Sequence, residues 1–392
     1  MTLIAAGTMV LDGQICRPGW LTVSGRRIGD CGCGAPPHPP DIDYPDATTV
    51  VPGFVDMHVH GGGGAWYTDG HPDEIASAAG FHLRHGTTTT LASLVTASPD
   101  DLLAAVRGLA EATRKGVIAG IHIEGPWLSR ERCGAHDPGQ LRDPDRAEID
   151  AVLAAGDDAI RMVTLAPELP GSAAAIRRFV DAGTVVAVGH TDATYEQTRQ
   201  AIAAGATVGT HLFNAMRPLH HREPGPALAL LQDPGVTLEL IADGVHVHPA
   251  LVRGVIEAAG ADRVALVTDA TAAAGCADGS FRLGTQEIDV VSGVAHVHGT
   301  STLAGSTATM DGLFRNVAGL SSDPDEGLAA AVAMTSTTPA RVLGLGHVGS
   351  LRSGMDANLV VLSQVLEISS VMVNGGWVSD QGSHWPRAQP PN

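Results

Sequence analysis

The stretch Val51–Gly64, VPGFVDMHVHGGGG, runs an apolar segment into two histidines and then breaks into four glycines. Residues i and i+2 of a β-strand share a face, so His58 and His60 point the same way. Gly61–Gly64 then let the chain leave the strand without side chains crowding its end. The pattern is that of a buried strand whose C-terminal tip carries chemistry.

Seven more runs of the same kind follow: TTTTLASLVT, VIAGIHIEGP, IRMVTLAPE, TVVAVGHTDA, TVGTHLFNAM, TLELIADGVHVH and RVALVTDAT. Ala- and Leu-rich helical stretches separate most of them, among them DLLAAVRGLAEATRK, SAAAIRRFVDAG, YEQTRQAIAAG and PALVRGVIEAAG. Eight strand–helix units in succession predict an α/β protein built on a closed parallel (β/α)8 barrel of the TIM type. A doubly wound sheet is the alternative, but it would place a phosphate-binding glycine motif in the first turn, and here the glycines follow histidines. Both ends of the chain read instead as short strands and turns, around a Pro-rich loop at GAPPHPPDIDYPDA. The expected organisation is a small β-sandwich from residues 1–52 and 347–392, and a barrel from 53–346. A total of 392 residues suits a barrel of about 250 residues plus an accessory domain.

Composition excludes several classes. With 24 basic against 42 acidic residues the net charge is −18, which disfavours binding to a nucleic-acid backbone. An anionic small substrate would need dedicated cations at its site. No apolar run approaches the roughly 20 residues of a membrane span, and the N-terminus lacks a signal peptide's basic start and cleavage site. A cytoplasmic protein is expected. Five scattered cysteines argue against a disulfide framework, and Cys31-Gly-Cys33 reads as a small turn.

The titratable residues gather at strand ends. His58 and His60 close the first strand, His122 and Glu124 the third, His190 the fifth, His211 the sixth and Asp269 the eighth, while Asp243, His246 and His248 follow the seventh. Barrel enzymes build their sites on that face. Imidazoles and carboxylates together form the ligand set of a catalytic centre of the zinc type. Lys115, the only lysine, precedes the third strand and so lies at its wrong end. A centre bridged by a modified lysine is therefore excluded, and Glu124 is the expected bridge if two ions bind. Asp269, followed by small residues, is either a helix N-cap or the carboxylate that takes a proton from an activated water.

The motifs PGFVDMHVHG, HIEGPWLSRERCGAH, GHTDA, GTHLFNAM, REPG, DGVHVHP, TDA and TLAGS occur in this order. Together they resemble the N-acetylglucosamine-6-phosphate deacetylase family of the amidohydrolase superfamily, over nearly the whole chain. The resemblance implies hydrolysis of the acetamide of a phosphorylated amino sugar, with one or two divalent metals per subunit: zinc first, with iron, manganese, cobalt or cadmium also compatible with the ligands. It implies that Glu124, His190 and His211 hold the main metal and that His58 and His60 hold a second. It makes Asp269 the acid/base and His136 the group that polarises the carbonyl. Ala135, Asn214, Ala215, Arg222, His246 and the Thr302–Leu303–Ala304 segment would contact substrate, with Arg222 and His246 on the phosphate. A homodimer completing the phosphate site across its interface is also implied. Cys133, in the loop before His136, is either a bland thiol or one that approaches the metal when substrate is absent.

Other readings stay open. Arg222 could be an ordinary loop cation, His220 and His221 read as solvated, and His296 and His298 as part of a hairpin. His248 is left outside the site. The activity could instead be that of a related amidohydrolase, such as an N-acetylgalactosamine-6-phosphate deacetylase, or the chain could be a catalytically idle metal-binding homologue.

Overall fold

Phe54–Asp56, in the run that leads to His58 and His60, is the first strand of a barrel, and both histidines lie just past its end. In the computed structural model, which describes residues 1–378, eight parallel strands pair in sequence order: β1 Phe54–Asp56, β2 Thr87–Leu94, β3 Gly120–Glu124, β4 Ile160–Leu165, β5 Val185–Val188, β6 Val208–Gly209, β7 Thr237–Leu240 and β8 Val264–Leu266. The sheet closes just beyond its first and last strands. There the Asp269 N–H donates to the His58 carbonyl at 2.8 Å and the His60 N–H to the Ala270 carbonyl at 2.8 Å. A helix follows each strand: α1 Pro72–Arg84, α2 Pro99–Arg114, α3 Arg146–Gly156, α4 Ser172–Asp181, α5 Tyr195–Ala203, α6 Gly225–Gln232, α7 Pro249–Ala259 and α8 Met310–Ala318. Several begin where the sequence provides a cap. Ser98 accepts from the Asp101 N–H at the start of α2, and Thr194 with Gln197 forms a capping box on α5.

Strand alternation sorts the side chains. Ile121, Ile123, Val163, Leu165, Val186, Val188, Leu238 and Leu240 pack outward in the core shared with the helices. Val55, Leu91, Met162, Ala187, Val208 and Ala265 fill the barrel interior. Above that apolar layer lies a polar one. Ser93 Oγ meets His122 Nδ1 at 2.9 Å, His122 Nε2 meets Thr164 Oγ1 at 2.9 Å, and Thr164 meets Thr210 at 2.9 Å, all of them buried. The pairing of His122 with Glu124 at the strand end thus divides in two: both face inward, but His122 lies a layer deeper and both its nitrogens are taken up by neighbouring hydroxyls.

The two ends of the chain meet as expected. Leu359–Leu362 pairs antiparallel with Thr49–Pro52, within a six-stranded sheet that also contains Thr8–Leu11. Thr2–Ala6 belongs instead to a four-stranded sheet. The switch falls at Gly7, where a Cβ would lie 2.0 Å from the Asp46 carbonyl oxygen. Ile4, Met9, Leu21, Ile28, Val50, Leu359 and Val361 form a separate core here. Residues 379–392, the last of the segment assigned to the sandwich, lie outside the described residues.

The cysteines correct the sequence reading. Cys16 and Cys33 form a disulfide with a Cα–Cα distance of 4.8 Å, 17 residues apart in sequence. Strand register explains it: Cys33 pairs opposite Gly19, just beyond the turn that follows Cys16. Nor is Cys31-Gly-Cys33 a turn, since it ends the strand Arg27–Cys33. His296 lies in the predicted hairpin, within a three-stranded sheet (Gly279–Leu283, Gln286–Val291, Val294–Val297) inserted between β8 and α8. Among the described residues no helix is long and apolar enough to cross a membrane.

Candidate active site

Glu124, at the tip of β3, stands between two groups of donors. Its Oε1 lies 3.1 Å from His190 Nε2 and 3.1 Å from His211 Nε2. Its Oε2 lies 3.3 Å from His58 Nε2 and 3.1 Å from His60 Nε2. Asp269 Oδ1 completes the second group, 3.2 Å from His60 Nε2 and 3.6 Å from His58 Nε2. Glu124, His190 and His211 make one buried set with metal-ligand spacing, and His58, His60 and Asp269 another. Backbone geometry turns these side chains inward: His190, His211 and Asp269 have φ of 45°, 25° and 47°. That left-handed conformation costs a non-glycine residue about 1 kcal/mol or more, and such strain concentrates at functional sites.

The hydrogen bonds behind the ligands fix their tautomers. His58 Nδ1–H donates to Glu239 Oε2 at 3.1 Å, His60 Nδ1–H to the Ser93 carbonyl at 3.2 Å, and His190 Nδ1–H to the Arg132 carbonyl at 2.9 Å. Each ring is left with an Nε2 lone pair aimed at the cluster, the arrangement metal-binding histidines require. His190 Nε2 and His211 Nε2 stand 3.1 Å apart, a separation two lone pairs tolerate only with a proton or a cation between them. Glu124, Asp269 and Glu239 are buried carboxylates whose ion-pair partners among the described residues are all histidines. Burying so much negative charge without Lys or Arg is costly. Divalent cations fit both the donor set and the charge.

In the metal-free chain protons take part of that role. Burial works against charging His60, but Asp269 and Glu124 overcome it and raise its pKa to about 9. His58 is raised well above its usual value against the same burial penalty, chiefly by Glu124 and Glu239. Burial would raise Glu124 and Asp269, yet the neighbouring histidines, His58 first, hold both below the usual carboxylate range. At neutral pH the carboxylates are therefore ionised while His58 and His60 carry protons that an incoming cation must displace. Metal affinity should accordingly rise with pH, up to about tenfold per unit for each displaced proton, with the His60 share of that rise ending near pH 9. Calorimetric titration in buffers of different ionisation enthalpy reads the released protons directly.

A cavity of about 350 Å³ opens over the cluster. Of the residues expected to contact substrate, Ala135, His136, Asn214, Ala215, His246, Thr302 and Leu303 line it, while Ala304 is fully buried behind them. Arg222 does not line it. That residue is exposed, with its guanidinium 2.9 Å from His221 Nε2. Cys133 is half-buried, and its Sγ lies 3.8 Å from the Gly134 carbonyl rather than in the cavity wall. His246 Nδ1 is held by Asp243 Oδ2 at 2.7 Å, whereas His248 caps α7, accepting from the Ala250 N–H. Arg132 and Leu283 also line the cavity, and the sequence reading passed over both. Arg132 offered a signal, being a cation two residues from GAH; Leu283, on the inserted sheet, offered none.

His136 has a defined proton. Its Nδ1 accepts from the Thr96 N–H at 3.2 Å and from Thr96 Oγ1 at 2.9 Å. Burial, then repulsion from His190, lowers its pKa to about 4. The neutral ring therefore carries its hydrogen on Nε2, 3.4 Å from Glu124 Oε2 at the cavity floor.

A (β/α)8 barrel with two His/carboxylate donor sets converging at its C-terminal rim is the architecture of a metal-dependent hydrolase. Comparison with known proteins agrees. Residues 49–378 match the Amidohydrolase family. The N-acetylgalactosamine-6-phosphate deacetylase of Escherichia coli O157:H7 is 37% identical over 363 residues, 91% of this chain and 95% of that protein. The N-acetylglucosamine-6-phosphate deacetylase of Danio rerio is 39% identical over 340 residues, 83% of each chain. Among solved structures, an Asp-to-Ala mutant of the Mycobacterium smegmatis N-acetyl-D-glucosamine-6-phosphate deacetylase, in complex with N-acetyl-D-glucosamine-6-phosphate, superposes with a TM-score of 0.94 at 53% identity, covering 96% of this chain and 98% of that one. The chain belongs to the amidohydrolase family, in the group that includes the N-acetylglucosamine-6-phosphate deacetylases.

Proposed function

We propose that this chain hydrolyses the acetamide of N-acetylglucosamine 6-phosphate, giving glucosamine 6-phosphate and acetate. The observation that carries the reading is the position of Asp269. It is an ionised carboxylate at the floor of a sugar-sized cavity, within 3.6 Å of two ligand histidines and next to the set Glu124 bridges. A divalent cation held by Glu124, His190 and His211, with a second on His58 and His60, would supply Lewis acidity and a water of lowered pKa. Asp269 accepts the proton of the attacking water. It then passes that proton to the sugar nitrogen, which could not leave as an amide anion. His136 Nε2–H donates to the carbonyl oxygen as negative charge develops there. His136→Asn should lower kcat by about 10²–10³ with KM nearly unchanged, measured as acetate release. Zinc suits the N/O donors best, and metal analysis of purified protein tests that choice. With its Sγ beside the Gly134 carbonyl and outside the cavity lining, Cys133 is read as a bland loop thiol, and Cys133→Ala should leave metal affinity unchanged.

The same reading puts Arg222 and His246 on the phosphate and makes the enzyme a cytoplasmic homodimer. In its support, Arg222 and Leu219 stand exposed on one loop outside the single chain's cavity, so that Arg222 of the partner subunit could complete the site. Each charge-assisted contact is worth about 1.5–3 kcal/mol. Arg222→Ala should therefore raise KM for the phosphorylated sugar about 10–100-fold with kcat little changed, and the unphosphorylated sugar should be poorer by about 10² in kcat/KM. Light scattering tests the dimer. The E. coli relative's name favours a second reading, deacetylation of the galacto epimer. Acetate release from both 6-phosphate epimers decides: faster turnover of the gluco sugar supports the proposal, and faster turnover of the galacto sugar replaces it.

A further inference from the structure

Glu239 was not among the residues the motifs singled out, yet it is fully buried in the barrel interior at the middle of β7. Its Oε2 accepts from His58 Nδ1–H at 3.1 Å and from the His211 backbone N–H at 3.1 Å. Its Oε1 is buried without a hydrogen-bond partner among the described residues. No Lys or Arg pairs with it there, and its one ion-pair partner is His58. A lone carboxylate in such a place is expensive to keep ionised and would be replaced without loss by an apolar residue if it served packing alone.

We infer that Glu239 is the positioning residue of the second metal site: it holds His58 with Nε2 free and raises that ring's strength as a ligand. The ligand histidines differ behind their rings in a way that makes this specific. His60 and His190 lean on backbone carbonyls, of Ser93 and Arg132. His211 Nδ1 has no partner among the described residues. His58 alone has an anion behind it. A carboxylate there pushes electron density through the imidazole to Nε2, and such outer partners are worth about 10–100-fold in metal affinity. The two divalent sites are thereby unequal: this carboxylate reaches the Glu124–His190–His211 set only at the His211 backbone N–H, whereas it meets the His58–His60–Asp269 set at a ligand ring. The inference rests on the two-cation reading of the cluster, not on the identity of the sugar.

Glu239→Gln tests it, because the amide oxygen can still accept from His58 Nδ1–H and the His211 N–H while the charge is lost. Metal-free protein is titrated with Zn²⁺ against a chromophoric chelator, and separately with Co²⁺ while its visible absorption is followed. The expected result is one ion bound with wild-type affinity and a second bound about 10–100-fold more weakly, with the second step of the Co²⁺ spectrum displaced to higher concentration. In a His58→Asn background, Glu239→Gln should leave the remaining ion's affinity unchanged, which also separates this role from a general loss of structure. Wild-type affinity for both ions in Glu239→Gln overturns the inference, as does equal weakening of both sites or a wild-type chain that never binds more than one ion. All of these readouts are independent of acetate release, so a failed deacetylase assay would leave them standing.

Discussion

Glu124→Gln should leave the chain nearly free of metal and lower turnover by more than about 10³-fold. One carboxylate here serves both donor sets, Oε1 facing His190 and His211 and Oε2 facing His58 and His60. An amide offers one neutral oxygen, and its NH₂ group would point at whichever pair of Nε2 lone pairs it met. The substitution therefore removes a bridging charge and places a donor where an acceptor is needed. His58, His60 and His190 would keep their tautomers, since their Nδ1 partners are elsewhere. The fold should survive, and removal of this buried charge even lifts a desolvation cost from the metal-free chain. Elemental analysis after dialysis, beside circular dichroism and acetate release, checks all three statements.

Asp269→Asn should separate chemistry from binding. The side chain keeps its shape and its seat at the end of β8, where the backbone is tied by the bonds Asp269 N–H to His58 carbonyl and Ser306 N–H to Asp269 carbonyl. In the proposed mechanism, what disappears is the acceptor for the water's proton and the donor for the leaving nitrogen. Proton transfers of this kind are worth about 10²–10⁴-fold, and here one group performs two. The expected result is a kcat lower by about 10³–10⁴ with KM changed only a few-fold. The ion on Glu124, His190 and His211 should be retained, and the one sharing Asp269 weakened. Near-normal kcat would remove Asp269 from the mechanism.

The sequence made the barrel legible because its signal is repetition. Most strands lead into a chemically marked residue, and helices such as Tyr195–Ala203 open on their caps. The site was legible for the same reason, since parallel strands bring their C-terminal ends to one rim. What escaped depended on register or depth. The Cys16–Cys33 disulfide follows from which residue stands opposite Gly19, a pairing between strands that local pattern does not specify. His122 and Glu124 share a face in the sequence, yet two residues along the strand separate a hydroxyl-satisfied core histidine from a metal-facing carboxylate. Glu239 sits mid-strand in TLELIADG, where alternation says only that it faces inward. That it meets His58 comes from barrel closure across β7, β8 and β1.

Anomalous diffraction from crystals of the zinc-loaded protein, recorded on both sides of the zinc edge, tests the central claim most directly. The account predicts two peaks flanking the Glu124 carboxylate, one beside His190 and His211 and the other beside His58 and His60. Zinc bound away from Glu124, with its carboxylate turned from the histidines, would contradict it.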